Sequence, residues 1–309
     1  MSAARAVVFG YHDVGVRCLE ALLSGGVDVP LVVTVADDPT ETQWFGSVAA
    51  TAAKYGIDAI TPANANTAEL QQRLAELQPD FIFSFYYRSM LGAPLLNIAR
   101  RGALNMHGSL LPRYRGRAPV NWAILRGERE TGATLHYMVE RADAGDIVDQ
   151  LAVPILQNDD AREVFAKVTV AAETILSRSL PGLIAGTAAR HPQSIEPGEY
   201  FGRRRPEDGR IDWTWSAQQI HNLVRAVAPP FPSAFAHVGD QRWFIHKTRV
   251  VSGTATPSAQ AKLTSVDGQC YVECCDGSVL HLIEVASVDG PLNLRGLAAS
   301  LIKHPRALA

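Results

Sequence analysis

The chain has 309 residues, 47% of them hydrophobic and 19% charged, with a formal net charge of −2. That length accommodates two domains, each with a sizeable core, and so small a net charge argues against a strongly basic, polyanion-binding protein. There is no run of about 18 apolar residues and no basic-then-apolar N-terminal segment, so neither a membrane span nor a secretory signal is expected. Cys18, Cys270, Cys274 and Cys275 form no Cys-x-x-Cys pair, so the expectation is free thiols in a reducing cytoplasm and no metal site.

Arg5–Gly10 is a short apolar run ending in glycine and predicts a first parallel strand. His12–Ser24 carries Val16, Leu19, Leu22 and Leu23 at helical spacing and stops at Gly25-Gly26. Pro30–Val35 predicts a second strand. The turn from Gly10 to Gly15 lacks both the Lys-Ser/Thr of a phosphate-cradling loop and the glycine spacing of a dinucleotide site, so it reads first as a strand-to-helix turn. The loop from Ala36 to Ser47 holds Asp37, Asp38 and Glu41 without Lys or Arg, which disfavours phosphate contacts. Asn66-Thr-Ala-Glu69 predicts a capping box with Asn66 as the cap, ahead of a helix with Leu70, Leu74 and Leu77 inward.

Phe81–Phe85 predicts a buried central strand, with Tyr86-Tyr-Arg88 at its carboxyl end, and Gly102–His107 predicts the next strand. Residues two apart on a strand share a face. Asn105 and His107 therefore project together, at the strand end beyond which open parallel sheets bind ligands. Asp143, far off in sequence, is expected to meet His107 in space. A short helix over 118–126 and strands over 131–139 and 146–153 follow. Asn158-Asp-Asp160 caps a long helix that Pro181-Gly182 kinks or ends.

From Gly186 to about residue 203 the composition predicts an extended connector. Beyond it come a helix over 216–227 and antiparallel strands over 242–251, 262–266, 270–274 and 279–284. From Arg204 onward there are 11 Lys and Arg against 9 Asp and Glu, too even a balance for a nucleic-acid handle.

Asn105-x-His107, Ser109-Leu-Leu-Pro112 and Asp143 together resemble the active-site set of the folate-dependent formyltransferases. Gly10–Gly15, Phe83-Ser-Phe-Tyr-Tyr-Arg88, Arg115-Gly-Arg-Ala-Pro119 and Arg141-Ala-Asp-Ala-Gly145 are similar to one branch of that family. That branch formylates UDP-4-amino-4-deoxy-L-arabinose in the lipid A modification that confers polymyxin resistance. The likeness runs along nearly the whole chain. It implies an α/β fold: a Rossmann-like parallel-sheet formyltransferase domain over residues 1–203, connector 186–203 included, followed by a small OB-like β-barrel domain over 204–309. The donor would be 10-formyltetrahydrofolate and the acceptor a nucleotide sugar. In that branch the formyltransferase is fused to an NAD-dependent decarboxylating dehydrogenase; a stand-alone formyltransferase is expected here, with no NAD and no nucleic-acid partner.

The resemblance also assigns residues. Asn105 would stabilise the oxyanion, His107 would act as general base and acid, and Asp143 would orient His107 and favour its protonated form. Ser89, Met90, Leu91, Arg117 and the run Val139, Glu140, Arg141, Ala142 and Asp143 would border the folate. Ser89 and Met90 depart from the branch in side chain, which matters little if their backbone makes the contact. Arg113, Arg115 and Arg117 read as either a solvated loop or an anion site. No Gly-x-Ser-x-Gly elbow is present, so an activated serine is not expected. Three alternatives stay open: a methionyl-tRNA formyltransferase, a formyltransferase for another nucleotide-linked amino sugar, and a folate- or nucleotide-binding module without turnover.

Overall fold

Five consecutive buried residues, Phe81–Phe85, form the centre of the main sheet. A strand covered on both faces has no polar side to show, so its sequence runs apolar without alternation. The computed structural model describes residues 3–37, 42–195, 200–302 and 305–308. Asp38 and Glu41 of the acidic loop and residues 196–199 of the expected connector lie outside them.

In chain order the elements begin β1 (Arg5–Gly10), α1 (His12–Ser24), β2 (Asp28–Val33), α2 (Val48–Lys54), β3 (Asp58–Ile60) and α3 (Ala68–Leu77). Next come β4 (Phe81–Phe85), α4 (Ala93–Leu96), β5 (Gly102–His107), β6 (Arg115–Gly116), α5 (Pro119–Leu125), β7 (Glu130–Tyr137) and β8 (Ile147–Pro154). They are followed by α6 (Ala161–Ala185), β9 (Tyr200–Phe201), α7 (Ala217–Ala226), β10 (Ala234–Val238), β11 (Gln241–Thr254) and β12 (Lys262–Val266). The last are β13 (Gln269–Glu273), β14 (Ser278–Ser287), β15 (Gly290–Pro291), α8 (Leu294–Leu301) and β16 (Arg306–Ala307). The contacts divide the chain into two units: Met1–Pro119, Glu130–Val153 and Ala166–Gly202 form one, and Val120–Arg129, Pro154–Phe165 and Arg203–Ala309 the other. Two short segments ahead of residue 203 thus group with the second unit.

The first unit is built on a seven-stranded sheet of order β3-β2-β1-β4-β5-β7-β8. Strands β3 through β5 are mutually parallel and β7 is antiparallel to β5. The order leaves β1 in two directions, toward β2 and toward β4, which opens a crevice beyond their carboxyl ends. On one face Val7, Phe9, Leu31, Val33 and Ile82 pack against Leu70 and Leu74 of α3 and Leu95 of α4. Two local expectations are corrected. Thr67, not Asn66, caps α3, accepting from the Leu70 N–H at 3.3 Å; Asn66 instead donates to the Met90 carbonyl and accepts from the Gly92 N–H, at 2.9 and 2.7 Å. Pro181 does not end α6, which continues to Ala185; Leu180 and Leu183 on either side are buried, and that burial offsets the lost backbone bond.

The second unit is an antiparallel sheet of order β10-β11-β14-β13-β12-β16, with β15 on β14. Ser216 and Gln219 make a reciprocal capping box at α7, whose Ile220, Leu223 and Val224 are buried. Its buried polar groups are matched: His221 Nε2 donates to the Gln157 carbonyl and Nδ1 accepts from the Thr248 hydroxyl, both at 2.9 Å. The Arg225 guanidinium donates to Asn222 Oδ1 at 3.0 Å and to the Asp159 carbonyl at 3.2 Å. Paired this way they serve the fold rather than chemistry. Among the described residues no helix is long and apolar enough to cross a membrane, and no group of three or more His, Cys, Asp or Glu could hold a metal ion.

Candidate active site

Strand alternation places Asn105 and His107 on the same face at the carboxyl end of β5. The antiparallel register of β7 sets His136 directly across from Asn105 and Thr134 across from His107. The chain then turns back after Tyr137 and delivers Asp143. This turn is tight. Tyr137 N–H donates to the Asp146 carbonyl at 2.9 Å, Asp143 itself has φ of 53°, and a Cβ at Gly145 would lie 2.0 Å from the Tyr137 carbonyl oxygen. Only glycine fits there.

Asp143, with its side chain 14% exposed, presents Oδ1 at 3.6 Å from His107 Nδ1 and 3.7 Å from His136 Nε2. Its Oδ2 accepts from the Gly116 N–H at 2.9 Å. The two imidazole distances are charge-range approaches rather than hydrogen bonds. His107 is buried, and its Nε2 stands 2.9 Å from the Tyr114 carbonyl oxygen. That oxygen can only accept, so Nε2 carries the hydrogen and the neutral ring keeps a bare Nδ1 on the side of Asp143. A proton taken up by His107 therefore arrives at Nδ1, beside the carboxylate.

His136 was not singled out by the sequence. It is 1% exposed; its Nδ1 donates to the Tyr137 carbonyl at 2.9 Å, which leaves Nε2 to accept from Asn105 Nδ2 at 3.2 Å. Burial, with Asp143 opposing and His107 reinforcing, pushes its pKa down to about 4. A neutral His136 fixes which way the Asn105 amide points. The only clue in sequence was a histidine inside an alternating strand, and its meaning depends on a register that the sequence does not display.

Ser109 is fully buried, and its hydroxyl donates to the Arg113 carbonyl at 2.6 Å. It staples the loop after β5. A Cβ at Gly108 would meet the Tyr86 hydroxyl oxygen at 1.8 Å, so Tyr86 packs directly over the backbone beside His107. The three arginines do not form one surface: Arg115 is buried, while Arg113 and Arg117 are exposed. Arg117 N–H donates to the Phe201 carbonyl at 2.9 Å, extending the β6–β9 pair.

The expected folate-bordering residues fall on two loops. Ser89 and Met90 are exposed and Leu91 is buried, and Asn66 pins their backbone. Val139, Glu140 and Arg141 are exposed and Ala142 is half-buried. Met90, 62% exposed, and Val139, 46% exposed, are large apolar groups left in solvent. A cavity of about 490 Å³ lies along the second loop, lined among others by Leu96, Ala103, Tyr137, Met138, Val139 and Arg190. Val139 is the one expected folate residue in that lining, which resumes at Ala144 immediately after Asp143.

At the crevice between β1 and β4 stands a second group. His12 has φ of 65° and is buried. Its ring stacks on Phe45 at 4.0 Å and meets Trp44 edge-on at 4.5 Å. Burial and the Arg88 guanidinium hold its pKa down at about 3. Its Nδ1 accepts from the Asp13 N–H at 2.9 Å, so Nε2 is the donor. The Arg88 guanidinium lies 4.5 Å above the Tyr11 ring. Gly15 is so close to Val48 of α2 and to Gly10 that a Cβ would clash, which supports a packing role for that glycine.

His12 and His136 make the fold acid-labile. Both stay neutral in the folded protein down to about 3 and about 4, against 6.5 in the unfolded chain. Their stabilising effect is therefore complete above pH 6.5 and is lost as the pH falls from there through those values. Denaturation midpoints should drop between pH 6.5 and 4, and the drop should be shallower in His136→Gln. Equal slopes for the two proteins would contradict this.

Residues 4–180 match the formyl transferase family and residues 204–290 match the formyl transferase C-terminal domain. An N-formyltransferase from Helicobacter canadensis, solved with folinic acid and dTDP-3-aminofucose, superposes with a TM-score of 0.72 at 21% identity, over 91% of this chain and 99% of that one. The sugar 3N-formyl transferase WlaRD, solved in the presence of dTDP and 5-N-formyl-THF, gives 0.71 at 20% identity over 95% and 99%. HypX from Aquifex aeolicus, solved with tetrahydrofolic acid, gives 0.63 at 18% identity over 98% of this chain but 48% of that one. At these identities the likeness shows a shared fold.

Proposed function

Since the chain belongs to the formyl transferase family of enzymes, we propose that it moves the formyl group of 10-formyltetrahydrofolate to the amine of a nucleotide-linked amino sugar. The observation that carries this reading is the convergence of Asp143 on His107 and His136 while His136 holds the Asn105 amide. The unprotonated sugar amine attacks the formyl carbon and a C–N bond forms. The carbonyl oxygen becomes an oxyanion and takes a hydrogen bond from Asn105 Nδ2. The amine proton passes to His107 Nδ1, where the Asp143 carboxylate offsets the imidazolium charge. The C–N10 bond of the folate then breaks, and N10 leaves with the proton from His107.

The cavity beside Val139 suits the flat, hydrogen-bonding head of a folate, with Leu96, Met138 and Val139 as apolar lining. The crevice between β1 and β4 suits the acceptor. Tyr11, Trp44 and Phe45 supply aromatic faces, and His12 Nε2 and Arg88 supply donors, a set that fits a nucleoside diphosphate carrying a sugar. The resemblance of Phe83–Arg88 and Arg141–Gly145 to the lipid A branch supports UDP-4-amino-4-deoxy-L-arabinose as the acceptor. The sugar enzymes of the same fold, solved with dTDP or a dTDP-sugar, make dTDP-linked amino sugars the second arm of any test.

The test is a turnover panel of UDP- and dTDP-linked amino sugars with the formyl donor, read by the mass gained by the sugar. Arg88→Ala should raise KM for the nucleotide sugar by about tenfold or more with a smaller change in kcat, as expected for loss of one charged contact. Folate binding without formylation of any sugar would favour a binding module. Salt-sensitive formylation of methionyl-tRNA would overturn the choice of acceptor.

A further inference from the structure

We propose that Gln193 is a positioning residue that clamps the catalytic carboxylate in place. This rests on the role proposed above for Asp143. The segment around Gln193 lies along the edge of β8: His191 and Ile147 exchange both backbone hydrogen bonds, at 2.8 and 2.9 Å. One residue before, the Arg190 guanidinium lies 3.7 Å from the centre of the Tyr137 ring. Two residues after His191, Gln193 Nε2 reaches across to the Asp143 turn. It donates to the Asp143 carbonyl at 3.2 Å and to the Gly145 carbonyl at 2.6 Å.

Two carbonyl acceptors settle the orientation of the amide, because only the NH2 end can serve both. Gln193 Oε1 is buried and has no hydrogen-bond partner among the described residues. The side chain is thus committed through its hydrogens to a single turn. Asp143 holds a left-handed φ of 53°, uncommon for a residue with a Cβ although aspartate tolerates it better than most, so outside bonds to this turn add to its definition. Tying the carbonyls of residues 143 and 145 to one amide prevents the peptides between them from relaxing. The direction of the carboxylate follows from those peptides. Its Oδ2 then lies where the Gly116 N–H meets it at 2.9 Å, and its Oδ1 faces His107 and His136. Among the described residues Gln193 makes no hydrogen bond to either histidine; it acts through Asp143.

The Gly116 amide supplies a readout independent of any substrate, since its hydrogen bond is to the carboxylate itself. Arg117, the next residue, donates instead to the Phe201 carbonyl and serves as an internal control. The experiment is residue-resolved amide hydrogen exchange on the full chain, comparing the parent with Gln193→Met, which fills similar space, and Gln193→Glu, which keeps the shape but loses the two hydrogens. In both variants exchange at Gly116 should speed up by about tenfold or more while Arg117 keeps its rate. With substrates, kcat should fall by about tenfold to a hundredfold and KM for the nucleotide sugar should stay within about twofold. Unchanged exchange at Gly116 in Gln193→Met would overturn the proposal. So would a parallel rise at Gly116 and Arg117, which would mean general loosening. A selective rise at Gly116 in a protein that formylates no amino sugar would leave the clamp standing and overturn the proposed activity instead.

Discussion

Replacing His107 with alanine should lower kcat by about two to four powers of ten, the usual worth of a positioned general base and acid. The reasoning is local. With Nε2 held by the Tyr114 carbonyl, Nδ1 is the one ring atom that can accept the proton of the attacking amine, and Asp143 Oδ1 waits 3.6 Å away to balance the charge that follows. Alanine removes both functions of the ring, including its donation to the Tyr114 carbonyl. His107→Gln separates them. Its amide can still donate to Tyr114, but it has no base, so the rate should fall as far while the melting temperature stays near that of the parent. Both variants should keep their affinity for folate and nucleotide sugar within a few fold. Single-turnover formyl transfer measures the rate and equilibrium binding measures the rest. A His107→Gln enzyme within about tenfold of the parent rate would remove His107 from the chemistry.

What could be read from the sequence divides along a physical line. The strands β1, β4 and β5 were legible because buried parallel strands spell themselves as apolar runs. The side shared by Asn105 and His107 was legible because alternation needs no partner strand. His136 was not, because its use depends on the antiparallel β5–β7 register, a relation between two distant segments. The Asn66 cap failed for a related reason: Asn66 and Thr67 are both good caps, and the requirement of the Met90–Gly92 loop for a donor and an acceptor decided between them. In the second unit, β10, α8 and β16 were missed; β10 and β16 are short strands held by tertiary pairing, whereas α8 has a local cap at Asn293 that was overlooked. Gln193 sits in a connector that composition alone describes as irregular, so its contact with the turn at Asp143 had no sequence signal.

Asn105→Ala should cost about two to three powers of ten in kcat, from loss of an oxyanion donor worth on the order of 3 kcal/mol. Substrate binding should change little, because the donor meets its full partner only when the formyl oxygen becomes negative. The neutral state of His136 adds a sharper expectation. An imidazole that accepts at Nε2 directs one Asn105 N–H and thereby sets the orientation of the whole amide. His136→Leu should leave the amide free to rotate and lower kcat by about tenfold to a hundredfold, less than deleting the amide itself. Because His136 works largely through Asn105, the two losses should not add: the double variant should turn over at nearly the rate of Asn105→Ala alone. Fully additive losses would mean that His136 contributes by a separate route, with the Asp143 carboxylate 3.7 Å from its ring as the next place to look. The cycle tests the orientation of the amide directly, and it does so with kcat alone.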